Sequence, residues 1–239
     1  SANSINWGRL VPQIIYYVSA YCDMLSKGDD LSGGFNVVVP TGNFGNILAA
    51  YFAKEMGVPI NKLICASNAN NVLTDFINTG VYDRNRDFYT TMSPSMDILI
   101  SSNLERMLYL LADGDDKYIA DIQSKLSTEG KFTVSDTILS KLQSIFYGAC
   151  CDDKGTLETI KKTFSDYGYL CDTHTAVAVN AYEQYFEKTG DKRPVLIAST
   201  ASPYKFAKSV LSALTNEIPE SEFDTVDALS NFTNTSVPT

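Results

Sequence analysis

Apolar and polar positions recur along this chain with two periods, and they divide it into elements. From Trp7 to Lys27 the apolar residues follow helical spacing, with Ser4 and Asn6 ahead of them as capping residues and Gly28 as the stop. Phe35-Asn-Val-Val-Val-Pro40 is a β-branched run behind Gly33-Gly34 and reads as a buried strand. Thr41-Gly42-Asn43-Phe44-Gly45-Asn46 is a tight turn, residues 47–56 have helical composition up to Gly57, and residues 62–67 read as a second strand. Strand, turn, helix and strand in about 35 residues make a βαβ unit, so parallel pairing is expected.

Further strands are expected at 96–101 and 194–200, with mostly helical sequence between them. Apolar spacing near 3.6 predicts helices over 103–111, 116–126, 135–147, 155–167 and 173–188. Residues 202–214 read as the last firm helix, and the polar tail from Asn231 is expected to be loose. The expected fold class is α/β, a mostly parallel twisted sheet with helices and a helical insertion. Residues 1–111 would begin an α/β domain, 112–170 would be the insertion, 171–214 would return to the domain, and 215–239 would form a tail.

Composition narrows the function classes. The 239 residues are 44% hydrophobic and 20% charged, an ordinary globular mix that argues against disorder. No apolar run approaches the ~20 residues needed to span a bilayer, so no membrane partner and a soluble, cytoplasmic protein are expected. The net charge is −9 without a basic stripe, which argues against nucleic acid. Five cysteines without a CxxC pair and a single histidine argue against a metal site, and reduced thiols are expected.

The strongest chemical signal is the 41–46 turn, between a buried strand and a helix start. Glycines there allow several N–H groups to converge beside the positive end of a helix dipole, a nest for phosphate that needs no Lys or Arg. A ligand-free strand-to-helix turn is the plain alternative. The pattern is neither a dinucleotide fingerprint nor a P-loop. Ser4, Asn6 and Arg9 place a hydroxyl, an amide and a guanidinium at a helix start, suited either to an anionic substrate or to ordinary capping. Ser67-Asn-Ala-Asn-Asn71 and Ser199-Thr-Ala-Ser-Pro203 follow strand ends, where α/β ligands sit, but Asn-rich turns and caps have the same composition. His174, in Asp172-Thr-His-Thr-Ala176, is either a general base or part of a helix cap.

Six motifs in order carry a family resemblance: Ser1-Ala-Asn-Ser-Ile-Asn-Trp-Gly-Arg9, Pro40-Thr-Gly-Asn-Phe-Gly-Asn46, Ser93-Pro-Ser-Met-Asp-Ile98, Ser101-Ser-Asn-Leu-Glu-Arg106, Asp172-Thr-His-Thr-Ala-Val177 and Thr200-Ala-Ser-Pro-Tyr-Lys-Phe206. Together they resemble threonine synthase of the longer bacterial and fungal branch, a pyridoxal-phosphate enzyme of fold type II. The resemblance implies conversion of O-phospho-L-homoserine and water to L-threonine and phosphate by β,γ-elimination and replacement. It implies that Gly42, Asn43, Phe44, Gly45 and Asn46 cradle the phosphate of pyridoxal 5'-phosphate and that the Thr200 hydroxyl faces its pyridine nitrogen. Ser4, Asn6 and Arg9 resemble the substrate-phosphate segment.

The sequence departs from the family at one point. The Schiff-base lysine of the family lies in a Ser-Phe-Lys-Asp-like motif, and none occurs here; Lys205 belongs to a different motif. The expectation is therefore a carboxy-terminal half with no catalytic residue of its own, inactive alone and completed by an amino-terminal half of the same enzyme. The alternatives are a non-catalytic module that binds a phosphorylated metabolite and a threonine synthase-like phospholyase.

Overall fold

The computed structural model describes residues 5–238. In chain order the elements are α1 (Trp7–Ser26), β1 (Phe35–Pro40), α2 (Gly45–Glu55), β2 (Ile60–Ser67), α3 (Val72–Thr79), β3 (Val81–Asp83), α4 (Leu104–Leu111), α5 (Asp116–Thr128), β4 (Lys131–Thr133), α6 (Asp136–Ile145), β5 (Phe146–Cys150), α7 (Asp153–Tyr167), α8 (Thr173–Thr189), β6 (Val195–Ile197), α9 (Ala207–Leu214) and α10 (Glu222–Thr233). Short 3-10 turns sit at Pro94–Met96 and Pro203–Phe206. Among the described residues no helix is long and apolar enough to cross a membrane.

Four strands form the main sheet in the order β5-β2-β1-β6, and every pairing is parallel. All six residues of β1 are buried, as its unbroken β-branched run requires when both faces are covered. Val37 and Val39 join one core with α1–α6, whereas Val38, with Ile64 and Ala66 of β2, packs against Val177, Ala178 and Ala181 of α8. Each fully buried Val or Ile side chain among these stabilises the fold by about 1.5–3 kcal/mol. A third cluster joins Ile160 of α7, Val210 and Leu211 of α9 and Leu229 of α10. The antiparallel pair β3–β4 is separate, with the Tyr82 and Phe132 rings stacked at 5.3 Å.

Four sequence expectations are corrected. Residues 96–101 do not form a strand. The Asp97 carboxylate accepts from Thr91 N–H at 3.0 Å, Thr91 Oγ1 at 2.7 Å and Asn68 Nδ2 at 2.7 Å, which ties this segment to the end of β2. The 135–147 helix stops at Ile145, and Phe146 turns extended to begin β5, so the 112–170 stretch is not wholly helical but supplies an edge strand of the main sheet. Gly148 permits this: a Cβ there would stand 3.0 Å from the Thr74 Cα of α3. Finally, α3 and α10 were not anticipated, and the tail from Asn231 is not loose as far as Thr235. Helix α10 runs to Thr233, and the Thr235 carbonyl accepts from Tyr204 Oη at 2.8 Å and Ser230 Oγ at 2.7 Å.

Candidate functional site

The turn after β1 is held from several sides. Thr41 donates its N–H to Ala66 O at 2.8 Å and its hydroxyl to Val39 O at 2.7 Å. The Gly42 carbonyl accepts from Ser101 Oγ at 2.8 Å, and the Asn43 carbonyl accepts from Asn103 N–H at 3.1 Å and Asn103 Nδ2 at 2.9 Å. Phe44 has φ of 61°, a left-handed conformation costly for a non-glycine residue, and its buried ring lies 5.4 Å from the Phe146 ring, which anchors it. The α2 ladder begins only at Leu48 N–H to Phe44 O, 3.0 Å. The loop carbonyls are thus engaged, while the N–H groups of Asn43 to Ile47 make no hydrogen bond to the described residues. Five unused donors at a helix N-terminus are the arrangement that a backbone anion site requires.

These residues line a cavity of about 940 Å³ at the carboxyl ends of the strands. Arg9 and Tyr17 of α1, Ser95, and Ser199 and Thr200 after β6 complete its walls. Buried Tyr17 donates its hydroxyl to Asn46 Oδ1 at 2.6 Å and so fixes that amide, and its burial pushes the phenol pKa well up. Arg9 is exposed on α1 and is the one cation lining the cavity among the described residues. Thr200 is exposed, and β6, an edge strand of the sheet among the described residues, is only half-buried. No Lys, His, Asp or Glu is among the described lining residues. A second cavity, of about 700 Å³, is walled mostly by apolar groups such as Trp7, Leu108 and Phe132, so the donor-rich cavity is the candidate site.

The structure brings Arg9, Gly42, Asn43, Phe44, Gly45, Asn46 and Thr200 to one cavity. It does not bring Asn6 there: its Oδ1 accepts from Gly8 N–H at 2.9 Å as the α1 cap. Ser4 lies outside the described residues. Asn68 and Asn70 are buried and serve the 84–97 segment; Asn70 Nδ2, for example, donates to Tyr89 O at 2.8 Å. His174 is buried, with Nε2 accepting from Ser95 N–H at 3.1 Å and Nδ1 3.2 Å from Asp172 Oδ1. Burial pushes the Asp172 carboxyl up, but hydrogen bonds from His174 and Thr175 outweigh this and hold it below the usual carboxylate range. Sequence reasoning missed Tyr17 and Asn103 as supports, because their partners lie 29 and 60 residues away.

A family model described as "Threonine synthase, C-terminal" matches residues 175–235. Human "Threonine synthase-like 1" is 49% identical over 216 residues, covering 90% of this chain and 29% of the relative. Threonine synthase of Saccharomyces cerevisiae is 42% identical over 228 residues, covering 90% of this chain and 44% of that enzyme. Among solved structures, the PLP-bound threonine synthase from Brucella melitensis superposes with a TM-score of 0.83 at 37% identity, covering 95% of this chain and 47% of that one. The chain therefore spans less than half the length of each of these proteins. The α/β class expected from the sequence is the one observed, and it is the architecture of fold type II pyridoxal-phosphate enzymes.

Proposed function

From its similarity to the C-terminal part of threonine synthases, we propose that this chain supplies two walls of a pyridoxal-phosphate site acting on O-phospho-L-homoserine. The observation that supports this most is the set of unused N–H donors from Asn43 to Ile47, since a dianionic phosphate in a chain of net charge −9 needs convergent local donors. Gly42, Asn43, Phe44, Gly45 and Asn46 would hold the cofactor phosphate. The Thr200 hydroxyl, exposed on the same cavity, would face the pyridine nitrogen. Arg9 would take the substrate phosphate by charge-assisted hydrogen bonds. Asn6 is committed to its cap.

When bound, pyridoxal phosphate supplies the electron sink that lets O-phospho-L-homoserine lose its γ-phosphate and gain water at Cβ, giving L-threonine and phosphate. The residues of this chain bind and orient; none lining the cavity among those described is a Lys, His, Asp or Glu able to move the protons. The half-buried open edge of β6 and the exposure of Thr200 agree with a site closed by further protein bearing the Schiff-base lysine. A phospholyase of threonine synthase-like type is the second reading, kept because the human relative at 49% identity is called threonine synthase-like and the yeast relative at 42% is called threonine synthase.

The test is product analysis with O-phospho-L-homoserine and pyridoxal phosphate, for the chain alone and combined with an amino-terminal half that carries the lysine. The chain alone is expected to be inactive and the combination to release threonine and phosphate. Release of 2-oxobutyrate and ammonia would instead establish the phospholyase. Phosphate binding without turnover of the combination would establish a non-catalytic binding module.

A further inference from the structure

The Asp172 side chain is fully buried, and that of His174 is 3% exposed, yet neither lines the cavity. Their hydrogen bonds nevertheless run to both of its walls. Ser95 N–H can only donate, so His174 Nε2, 3.1 Å away, must be the acceptor. The ring proton of the neutral imidazole then sits on Nδ1, 3.2 Å from Asp172 Oδ1. That oxygen also accepts from His174 N–H at 2.8 Å and Thr175 N–H at 3.3 Å. Ser95 in turn presses its carbonyl against Gly42, where a Cβ would come within 2.6 Å. This is the arm to the phosphate loop.

The second arm leaves from the other carboxylate oxygen. Thr175 Oγ1 donates its only proton to Asp172 Oδ2. The Ser199 hydroxyl lies 3.3 Å from Thr175 Oγ1, so by proton count Ser199 is the donor in that pair. Ser199 precedes Thr200 on the opposite wall of the cavity. Along both arms the donors thus lead, through His174 and Thr175, to one buried carboxylate, with Thr173 Oγ1 a further neighbour of His174 Nδ1 at 3.4 Å.

We propose that Asp172, acting through His174 and Thr175, is a positioning centre that holds the phosphate loop and the Ser199-Thr200 segment in register. The claim rests on the cofactor reading above only for the ligand it positions. An anionic acceptor is required at residue 172: an amide there would present a donor to one arm. If that donor faced His174, the ring would shift to the Nε2–H tautomer, placing two donors against each other at Ser95.

The experiment uses the chain labelled with 15N, inorganic phosphate as the probe, and the variants Asp172→Asn, His174→Leu, His174→Gln and Thr175→Val. Imidazole 15N shifts at pH 8 are expected to show a protonated Nδ1 and a bare Nε2 in the natural protein. Asp172→Asn and His174→Leu are expected to weaken phosphate binding about tenfold, the scale of one lost buried hydrogen bond. His174→Gln, whose amide oxygen can accept from Ser95 N–H, should restore binding to within about threefold. Thr175→Val should speed amide exchange at Ala198, the residue before Ser199, whose N–H donates to Val38 O at 2.9 Å.

A protonated Nε2 in the natural protein overturns the proposal. So does phosphate binding that is identical in the natural chain, Asp172→Asn and His174→Leu. If the natural chain takes up no phosphate, the cofactor reading fails instead. Ring tautomer and amide exchange at Ser95 and Ala198, both hydrogen-bonded, then still decide whether Asp172 holds the two segments.

Discussion

Gly42 and Ser95 meet backbone to backbone: a Cβ on residue 42 would lie 2.6 Å from the Ser95 carbonyl oxygen and 3.4 Å from the Met96 Cα. No flexible side chain stands between them to give way. The 41–46 turn and the 93–97 segment are therefore one packed unit, and glycine is demanded by proximity, not by dihedral freedom.

Gly42→Ala is accordingly expected to cost about 1–3 kcal/mol of stability as overpacking and to weaken phosphate binding by moving the loop. Urea denaturation and a phosphate titration of the same variant measure the two effects. Unchanged affinity would show that the loop does not form the anion site.

Tyr17→Phe removes the hydroxyl that donates to Asn46 Oδ1 at 2.6 Å. The expected cost is about 1 kcal/mol, with the larger share arising if the Asn46 amide is left unsatisfied. Thermal denaturation reads the loss. A variant as stable as the natural chain would mean that water replaces the phenol without penalty.

Asp191 gives a pH signature. Burial pushes its carboxyl up, but hydrogen bonds from Asn36, Tyr185 and the Arg193 backbone, with the Arg193 charge, outweigh that and bring its pKa down to about 2. An unfolded Asp titrates near ~3.9, so this contribution is complete above that pH and is lost as the pH falls towards 2. The melting temperature should drop from pH 5 to pH 2, and Asp191→Asn should flatten that slope. An equal slope in the variant would place acid sensitivity in other carboxylates.

Cysteine labelling separates the thiols by burial. Cys22 is exposed, whereas Cys65, Cys151 and Cys171 are buried, and burial pushes their thiols up to about 12, 11 and 12. Iodoacetamide at pH 8 should modify Cys22 in the native protein and reach those three only on unfolding. Mass spectrometry of peptides from a short exposure checks this, and early labelling of Cys65 would mean that the central sheet opens locally.

Several of these relationships were open to sequence reading and others were not. The β1 run and the following turn were legible because a buried parallel strand and a glycine turn have local signatures, and Asn6 announced its cap for the same reason. The segment 96–101 was misread because its apolar residues resemble a strand, while Asn68, almost thirty residues earlier, supplies the bond that holds Asp97. Strand β5 was misread because helical periodicity carries past Ile145, and only the partner edge of β2 makes Phe146 extended.

The sequence by itself determined the α/β class, the parallel βαβ unit and the glycine turn after β1, because periodicity and glycine placement act over a few residues. Tertiary structure alone decided which polar groups share a cavity. It withdrew Asn6 to a helix cap, set Arg9 and Thr200 on the same cavity, and joined Asp172 to Ser95 and Ser199 through hydrogen bonds of His174 and Thr175. The physical reason is that a buried donor or acceptor takes whatever partner the packing brings, and that partner is fixed by folded space, not by distance along the chain.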